Sequence, residues 1–328
     1  MTAQNRVCPG PTLTVSATAE VVEQGVHDDS PKLIRSGKRM AIKSSYARSL
    51  ARSLVRGVTW KHPLVSLVVH AADPLDFMIR GAHGRLDLPA YSIRVRSNGV
   101  RQDLGGGGFV GVGRRVTALL RSYAQLRTDS KTLEIGCGCG RNAIALAEFL
   151  NDGNYTGMDV ERVAFSAARR NSRLAKKRFA FDFLDVRNDV YNPDGKYSAG
   201  NYVLPYPEES FDVVFMISVY THMLTDEVLN YSREISRVLR PNGRCFVTAY
   251  LLDREMTRQF PFRSQQHSFA DEKYPGTAVA YKADFLSSAF TRNGMSLSVG
   301  PLWGTIHGGT SETDLDQDLM VFTKEQTS

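Results

Sequence analysis

Cysteine is scarce: four in 328 residues, at positions 8, 137, 139 and 245. Cys137 and Cys139 stand one residue apart, too close to pair in ordinary disulfide geometry, so no disulfide framework is expected. Read instead as half a metal site, Cys137-x-Cys139 lacks a second Cys or His pair near it in sequence, and no metal is expected. Long apolar runs are missing too. The longest, 63–72, is broken by Ser66 and His70 and falls short of the roughly 18 residues a spanning helix needs. The N-terminus lacks the charged start and apolar block of a secretory signal. These absences lead us to expect a reduced, cytoplasmic protein with no transmembrane segment.

Acidic residues are absent from one whole stretch. Between Lys32 and Lys61 the chain carries nine Lys and Arg and no Asp or Glu. Residues 1–105 hold 15 basic against 8 acidic side chains, and residues 106–328 hold 26 of each. The net charge of +7 therefore sits in the first third. Such a block can meet RNA, an anionic membrane surface or an acidic substrate, or can be a solvated arm. Residues 1–40 show little periodicity and are expected to be a poorly ordered arm. Within 41–58, Arg48, Arg52 and Arg56 share one helix face and Tyr46, Leu50, Leu54 and Val58 another, a basic amphipathic pattern. The expected division is an arm over 1–40, a basic accessory region over 41–105 and the main domain over 106–328.

What the chain does have is concentrated in KTLEIGCGCGRNAIALAEFL, residues 131–150. A short apolar strand carrying Glu134 runs into Gly136, Gly138 and Gly140, and an apolar helix follows at once. Strand, glycine loop and helix in succession form the nucleotide-binding turn of a βαβ unit, where glycine lets the backbone approach a ligand closely. Counted from Gly136, the dinucleotide fingerprint needs its third glycine where Arg141 stands; counted from Gly138 it reaches Ala143, which it tolerates. A dinucleotide is disfavoured. Residues 155–160 (YTGMDV) read as a second strand ending in Asp159, 19 residues past Gly140. That is near the offset of about 20 residues at which an acid meets ribose hydroxyls.

A helix over 161–177, a strand over 179–184 leading to Asp185, and an apolar strand over 211–217 come next. Then follow a helix over 225–239 with Thr225 as N-cap, a tight turn at 241–243, a strand over 244–250 and a polar, irregular insert over 252–277. A helix over 283–292 and strands over 296–299 and 319–323 close the pattern. Upstream, 64–90 reads as short strands and loops and 91–96 as extended. The six glycines between 105 and 113 read as a lid or linker before a helix over 114–126. Alternating strand and helix from Leu133 predict an α/β fold with a Rossmann-like, doubly wound, mainly parallel sheet behind an N-terminal extension.

LEIGCGCGR, the acids in YTGMDV and FLDVRN, LPYPEESFDVVF and RVLRPNGR occur in the order found in class I S-adenosylmethionine-dependent methyltransferases, which residues 111–324 resemble. SVYTHM, and WGTIHGG followed by QDLMVF, look like a bacterial subgroup of that superfamily. The resemblance implies S-adenosylmethionine as cofactor and an antiparallel last strand. By position it implies that Glu134, Gly136, Cys137, Gly138 and Gly140 line the methionine and ribose part of the cofactor. Asp159, with Val160 beside it, would hold the ribose. Asp185 would bind the adenine amino group with Val186 against the ring, although a turn cap is the alternative for Asp185. Ser218 and Val219 would flank the sulfonium.

A hydroxyl acceptor also needs its proton removed. His222, four residues past Ser218, is the first candidate base and His307 in WGTIHGG the second, with packing as the alternative role for each. Tyr220 and Arg141 are candidates for shaping the acceptor pocket, and Trp303 for packing. Where the amine-directed DNA enzymes carry Asn/Asp-Pro-Pro-aromatic, this chain reads Ser218-Val219-Tyr220-Thr221, and no Cys follows a Pro as cytosine-C5 enzymes require. DNA is therefore not expected as a partner. The expected activity is methyl transfer to a hydroxyl of a small molecule, sugar or glycan-linked intermediate. The alternatives are an RNA or protein methyltransferase gripping its substrate through residues 32–61, and a non-catalytic cofactor-binding module.

Overall fold

Two of the most deeply buried strands lie side by side in the middle of the sheet. Strands β1 (Thr132–Ile135) and β4 (Phe211–Met216) pair in parallel with Leu133 opposite Val214, and every residue of β1 is buried. A strand covered on both faces favours apolar residues at every position rather than at alternate ones. The computed structural model describes residues 63–99, 102–252, 259–263, 267–272, 275–307 and 311–326. The arm expected over 1–40, the amphipathic helix over 41–58 and the acid-free block 32–61 lie outside the described residues.

Around the central pair the strand order is β3 (Ala180–Phe183), β2 (Tyr155–Asp159), β1, β4, β5 (Leu239–Leu251), β10 (Asp318–Lys324) and β9 (Met295–Leu302). All neighbours are parallel except β10, which runs antiparallel to both β5 and β9. This is the Rossmann-like sheet with its antiparallel last strand. Alternate residues of β4 feed two cores. Val214 and Met216 pack with Val228, Tyr231 and Ile235 of α8 (Thr225–Val238) and with Leu286 and Phe290 of α9 (Ala283–Thr291). Val213 and Phe215 belong to the other core, with Val116 and Leu120 of α4 (Gly107–Tyr123) and Ala143, Ile144 and Leu146 of α5 (Arg141–Leu146). Among the described residues no helix is long and apolar enough to cross a membrane.

The region before the sheet differs from the expectation. Residues 64–90, read as strands and loops, form α1 (Pro63–Ala71) and α2 (Asp73–Ala82), and the run read as extended forms α3 (Tyr91–Asn98). The first amides of α3 are satisfied from a distance: Tyr91 N–H donates to Asp76 Oδ2 at 3.1 Å and Ser92 N–H to Asp73 Oδ1 at 2.8 Å. A cap supplied by another helix leaves no trace in the local pattern. Asp76 is fully buried and also accepts from Arg80, Arg94 and the Gly105 amide, at 2.7, 2.7 and 2.9 Å. A buried carboxylate needs that company, because an unpaired charge in the interior is costly.

The glycine-rich stretch is not a lid or a loose linker: α4 begins inside it, at Gly107. A Cβ on Gly113 would lie 2.6 Å from the Arg141 carbonyl, so the glycine lets α4 and α5 touch along their backbones. The helix expected over 161–177 is broken. Asn171 accepts from the Arg173 and Leu174 amides and starts α7 (Ser172–Lys176) after α6 (Arg162–Arg169) has ended. Thr225 is not the N-cap of α8; Leu224 holds that place, its amide donating to Glu227 at 2.7 Å. The insert read as irregular contains β6 (Phe262–Arg263) and β7 (His267–Phe269), which with β8 (Val279–Tyr281) extend the sheet from the end of β5.

Candidate active site

The carboxyl ends of β1, β2 and β4 open on a cavity of about 390 Å³. Ligands bind at this edge in open α/β sheets, where the strand order reverses. Gly136, Gly138 and Gly140 all have positive φ (81°, 52° and 86°), as the turn from β1 into α5 demands. A Cβ on Gly136 would lie 2.5 Å from Val219 Cγ2. The loop is covered by the last turn of α3, whose Ser97 and Asn98 line the cavity and whose Arg96 pairs with Glu161 at 2.6 Å.

Of the residues expected to hold a cofactor, Glu134, Gly136, Cys137, Gly138, Asp159, Val160, Val186, Ser218 and Val219 line this cavity. Gly140 lies behind it, facing Ala168 and Leu174. Asp185 is not on the wall: its neighbours Leu184 and Val186 are, while its own carboxylate lies 3.7 Å from Lys196 Nζ. Burial pushes Asp159 up to about 6, against the pull of the Glu161 and Gly138 amides that donate to it at 2.7 and 2.6 Å. Burial likewise raises Glu134 to about 7, opposed by the Tyr155 hydroxyl and by Asn142 Nδ2, which donates at 2.7 Å. Glu134 thus ties β1 to β2 and α5 from beneath the loop.

The four catalytic candidates separate. His222 lines the cavity; its Nδ1 lies 3.0 Å from the Gly276 carbonyl, and its ring packs edge-on to Tyr191. A carbonyl can only accept, so the nitrogen facing Gly276 carries the proton. Burial lowers the His222 pKa, with backbone hydrogen bonding at Gly276 and Thr277 working the other way. Arg141 also lines the cavity, and its buried Nε finds no partner. Tyr220 does not: the single turn Tyr220–His222 rotates it into the core, where its hydroxyl meets Ser232 Oγ at 2.9 Å. His307 does not either; its Nε2 sits 2.8 Å from the buried Asp318 carboxylate, which also takes the Leu251 and Gly304 amides. Trp303 packs edge-on to His307, away from the cavity wall.

Sequence reasoning missed several wall residues. Tyr191 and Asn188 come from a stretch without periodicity, and Glu227 and Tyr231 face inward from α8. Burial raises the Glu227 pKa; the Leu224 amide opposes this and the charges of Asp189 and Asp226 add to it. Gln317 had a signal, the Gln of QDLMVF. Its Oε1 accepts from Ser218 Oγ and Thr248 Oγ1 at 3.0 and 2.7 Å, holding Ser218 at a φ of 63° on the cavity rim.

Residues 133–247 match the family model described as "Methyltransferase domain". The matched stretch runs from β1 into β5 and includes the glycine loop. The chain is 32% identical over 142 residues to the 27-O-demethylrifamycin SV methyltransferase of Amycolatopsis mediterranei, a match over 42% of this chain and 45% of that protein. It is 32% identical to phthiotriol/phenolphthiotriol dimycocerosates methyltransferase 1 of Mycobacterium ulcerans, over 37% and 38% of the two chains. The chain thus spans less than half the length of these curated relatives. A solved SAM-dependent methyltransferase of Methanosarcina mazei aligns over 64% of this chain and 98% of its own at 18% identity, with a TM-score of 0.45.

Proposed function

We propose that this protein transfers a methyl group from S-adenosylmethionine to a hydroxyl of a small molecule, sugar or glycan-linked acceptor, with His222 as the base. The observation that carries the reading is an imidazole on the cavity wall whose Nδ1 lies 3.0 Å from the Gly276 carbonyl. The name of the Amycolatopsis relative points to an oxygen acceptor in that protein and adds support. The SVYTHM subgroup resemblance belongs to the same proposal.

The cavity suits the cofactor. Arg141, with its orphaned Nε, offers a cation to the carboxylate of the methionine tail, and the glycine loop offers backbone without side chains. Asp159 would accept from the ribose diol through the lone pairs its two amide donors leave free. Leu184 and Val186 would face the adenine, and Ser218 and Val219 the sulfur end. Asp185 would reach the adenine amino group only by turning away from Lys196. Bound there, S-adenosylmethionine supplies an electrophilic methyl group on a sulfonium. The chain's part is to align the acceptor, exclude water and take its proton on His222.

A base whose pKa lies below the ordinary imidazole value is unprotonated at pH 7, so kcat/KM should rise with pH through a midpoint below about 6.5 and then level off. His222→Asn should lower kcat by about 10²–10⁴-fold and abolish that acid limb, with S-adenosylmethionine affinity by calorimetry unchanged. Label transfer from methyl-labelled S-adenosylmethionine into fractionated extract tests the acceptor class. Label in RNA or protein would replace this reading with one in which residues 32–61 grip a macromolecule. Cofactor binding with no label in any fraction would favour a non-catalytic module.

A further inference from the structure

We propose that a second cavity, of about 350 Å³, which shares His222 and Glu227 with the first, is the docking site of the acceptor, and that it takes a polyhydroxylated, sugar-like ring. The inference rests on the methyl-transfer reading and narrows its substrate class. His222 and Glu227 line both cavities, together with Arg187, Asn188 and Ala199. A ring seated in the second cavity therefore touches the same imidazole and carboxylate that line the cofactor cavity, so a hydroxyl at the shared wall can lose its proton to the imidazole.

The wall selects the ligand. Asp189, Lys196, Tyr197 and Ser198 join the shared residues, so donors and acceptors of both signs alternate within one small space. Vicinal hydroxyls both give and accept hydrogen bonds and can satisfy such a wall. An acyl chain would leave its polar groups desolvated and unpaired, and a simple anion would meet Asp189 and Glu227. The charges are available: Arg187 pairs with Asp189 at 3.6 Å and Lys196 with Asp185 at 3.7 Å, loose pairs in which Arg187, Asp189 and Lys196 face solvent and Asp185 is half-buried. Tyr197 is 56% exposed, an unusual state for a large ring, and offers a flat apolar face beside the polar groups.

The loop that carries these residues is built rather than slack. Val186 bridges Tyr197 and Asn188 bridges Asn192. Asn188 Oδ1 accepts the Val190 and Tyr191 amides while its Nδ2 donates to the His222 carbonyl at 3.2 Å. A Cβ on Gly195 would fall 2.4 Å from the Arg187 nitrogen, so the two limbs of the loop are in backbone contact. The loop thereby holds the recognition groups in fixed relation to the imidazole.

The test uses the full-length protein saturated with S-adenosylhomocysteine, whose binding is first verified by calorimetry. Saturation-transfer NMR is then run with a panel of methyl hexopyranosides and methyl 6-deoxyhexopyranosides, and with palmitate and phenol as apolar probes. Transfer to pyranosides, weakened about tenfold or more in Asp189→Ala and Tyr197→Ala, is the expected result, a loss equivalent to one or two hydrogen bonds or one stacked ring. Cofactor affinity and melting temperature should stay at wild-type values in both variants, which separates lost recognition from lost folding. Binding of palmitate or phenol without any pyranoside, binding of no probe, or pyranoside binding that both variants retain would each overturn the proposal. Failure to bind S-adenosylhomocysteine would instead bring down the methyl-transfer reading on which it stands.

Discussion

The chain has two glycine-rich stretches, and they do opposite things. Gly136, Gly138 and Gly140 use positive φ to turn a strand into a helix and leave open space at the carboxyl edge of the sheet. Of the run from 105 to 113, only Gly105 and Gly106 have positive φ; from Gly107 onward the residues are helical, and Gly113 lets two helix backbones touch. One stretch makes a cavity and the other removes a gap. Composition alone does not distinguish them; the flanking strand and the two-residue spacing do.

Substitution by alanine should separate the two roles. Gly136→Ala brings both an unfavourable φ and a clash with Val219, and we expect S-adenosylmethionine affinity by calorimetry to fall up to about 100-fold, matching strain of about 1–3 kcal/mol. Gly113→Ala must push α4 off α5 and should cost about 1–3 kcal/mol in denaturant unfolding, with little loss of cofactor affinity in the protein that remains folded.

Beneath the first stretch lies a titratable group, which gives the comparison a pH axis. Glu134 has a folded value near 7, above its ordinary one, so its contribution to stability is complete at low pH and is lost as pH rises through 7. Glu134→Gln cannot ionise. Its stability relative to the wild type should therefore improve by about 1–3 kcal/mol between pH 5 and 8, read from melting curves at the two values. The smallest effect is expected at Gly111, where a Cβ would meet nothing within 4 Å; Gly111→Ala should stabilise α4 by about 0.5–1 kcal/mol.

From Thr132 to Leu251 the fold was legible because its signals are local: apolar strands, a spaced glycine loop and acids at strand ends. The antiparallel final strand followed from the family resemblance. Helices α1–α3 were not legible, because α3 takes its caps from Asp73 and Asp76 on another helix and because Ile93 and Val95 imitate the alternation of a strand. The wall of the larger cavity beside the glycine loop was legible for the same local reasons. The wall around His222 was not: Tyr191 and Asn188 meet His222 through a loop whose shape comes from bridges and an Asn side chain, with no period in sequence, and Glu227 joins that wall from α8. Tyr220 and His307 stand off the cavity wall, and their position beside glycine- and histidine-bearing motifs says nothing of the direction in which they point.

Asp76 has a consequence for how the chain comes apart. One carboxylate accepts from α2, from α3 and from the amide of Gly105, just ahead of α4, while Arg96 on α3 grips Glu161 beyond β2. Shortening the chain to begin after residue 105 would delete Asp76 with its partners and strip the cover from the glycine loop in one cut. The helices before the sheet and the sheet itself should accordingly melt together, as a single cooperative unit, rather than peel off in sequence.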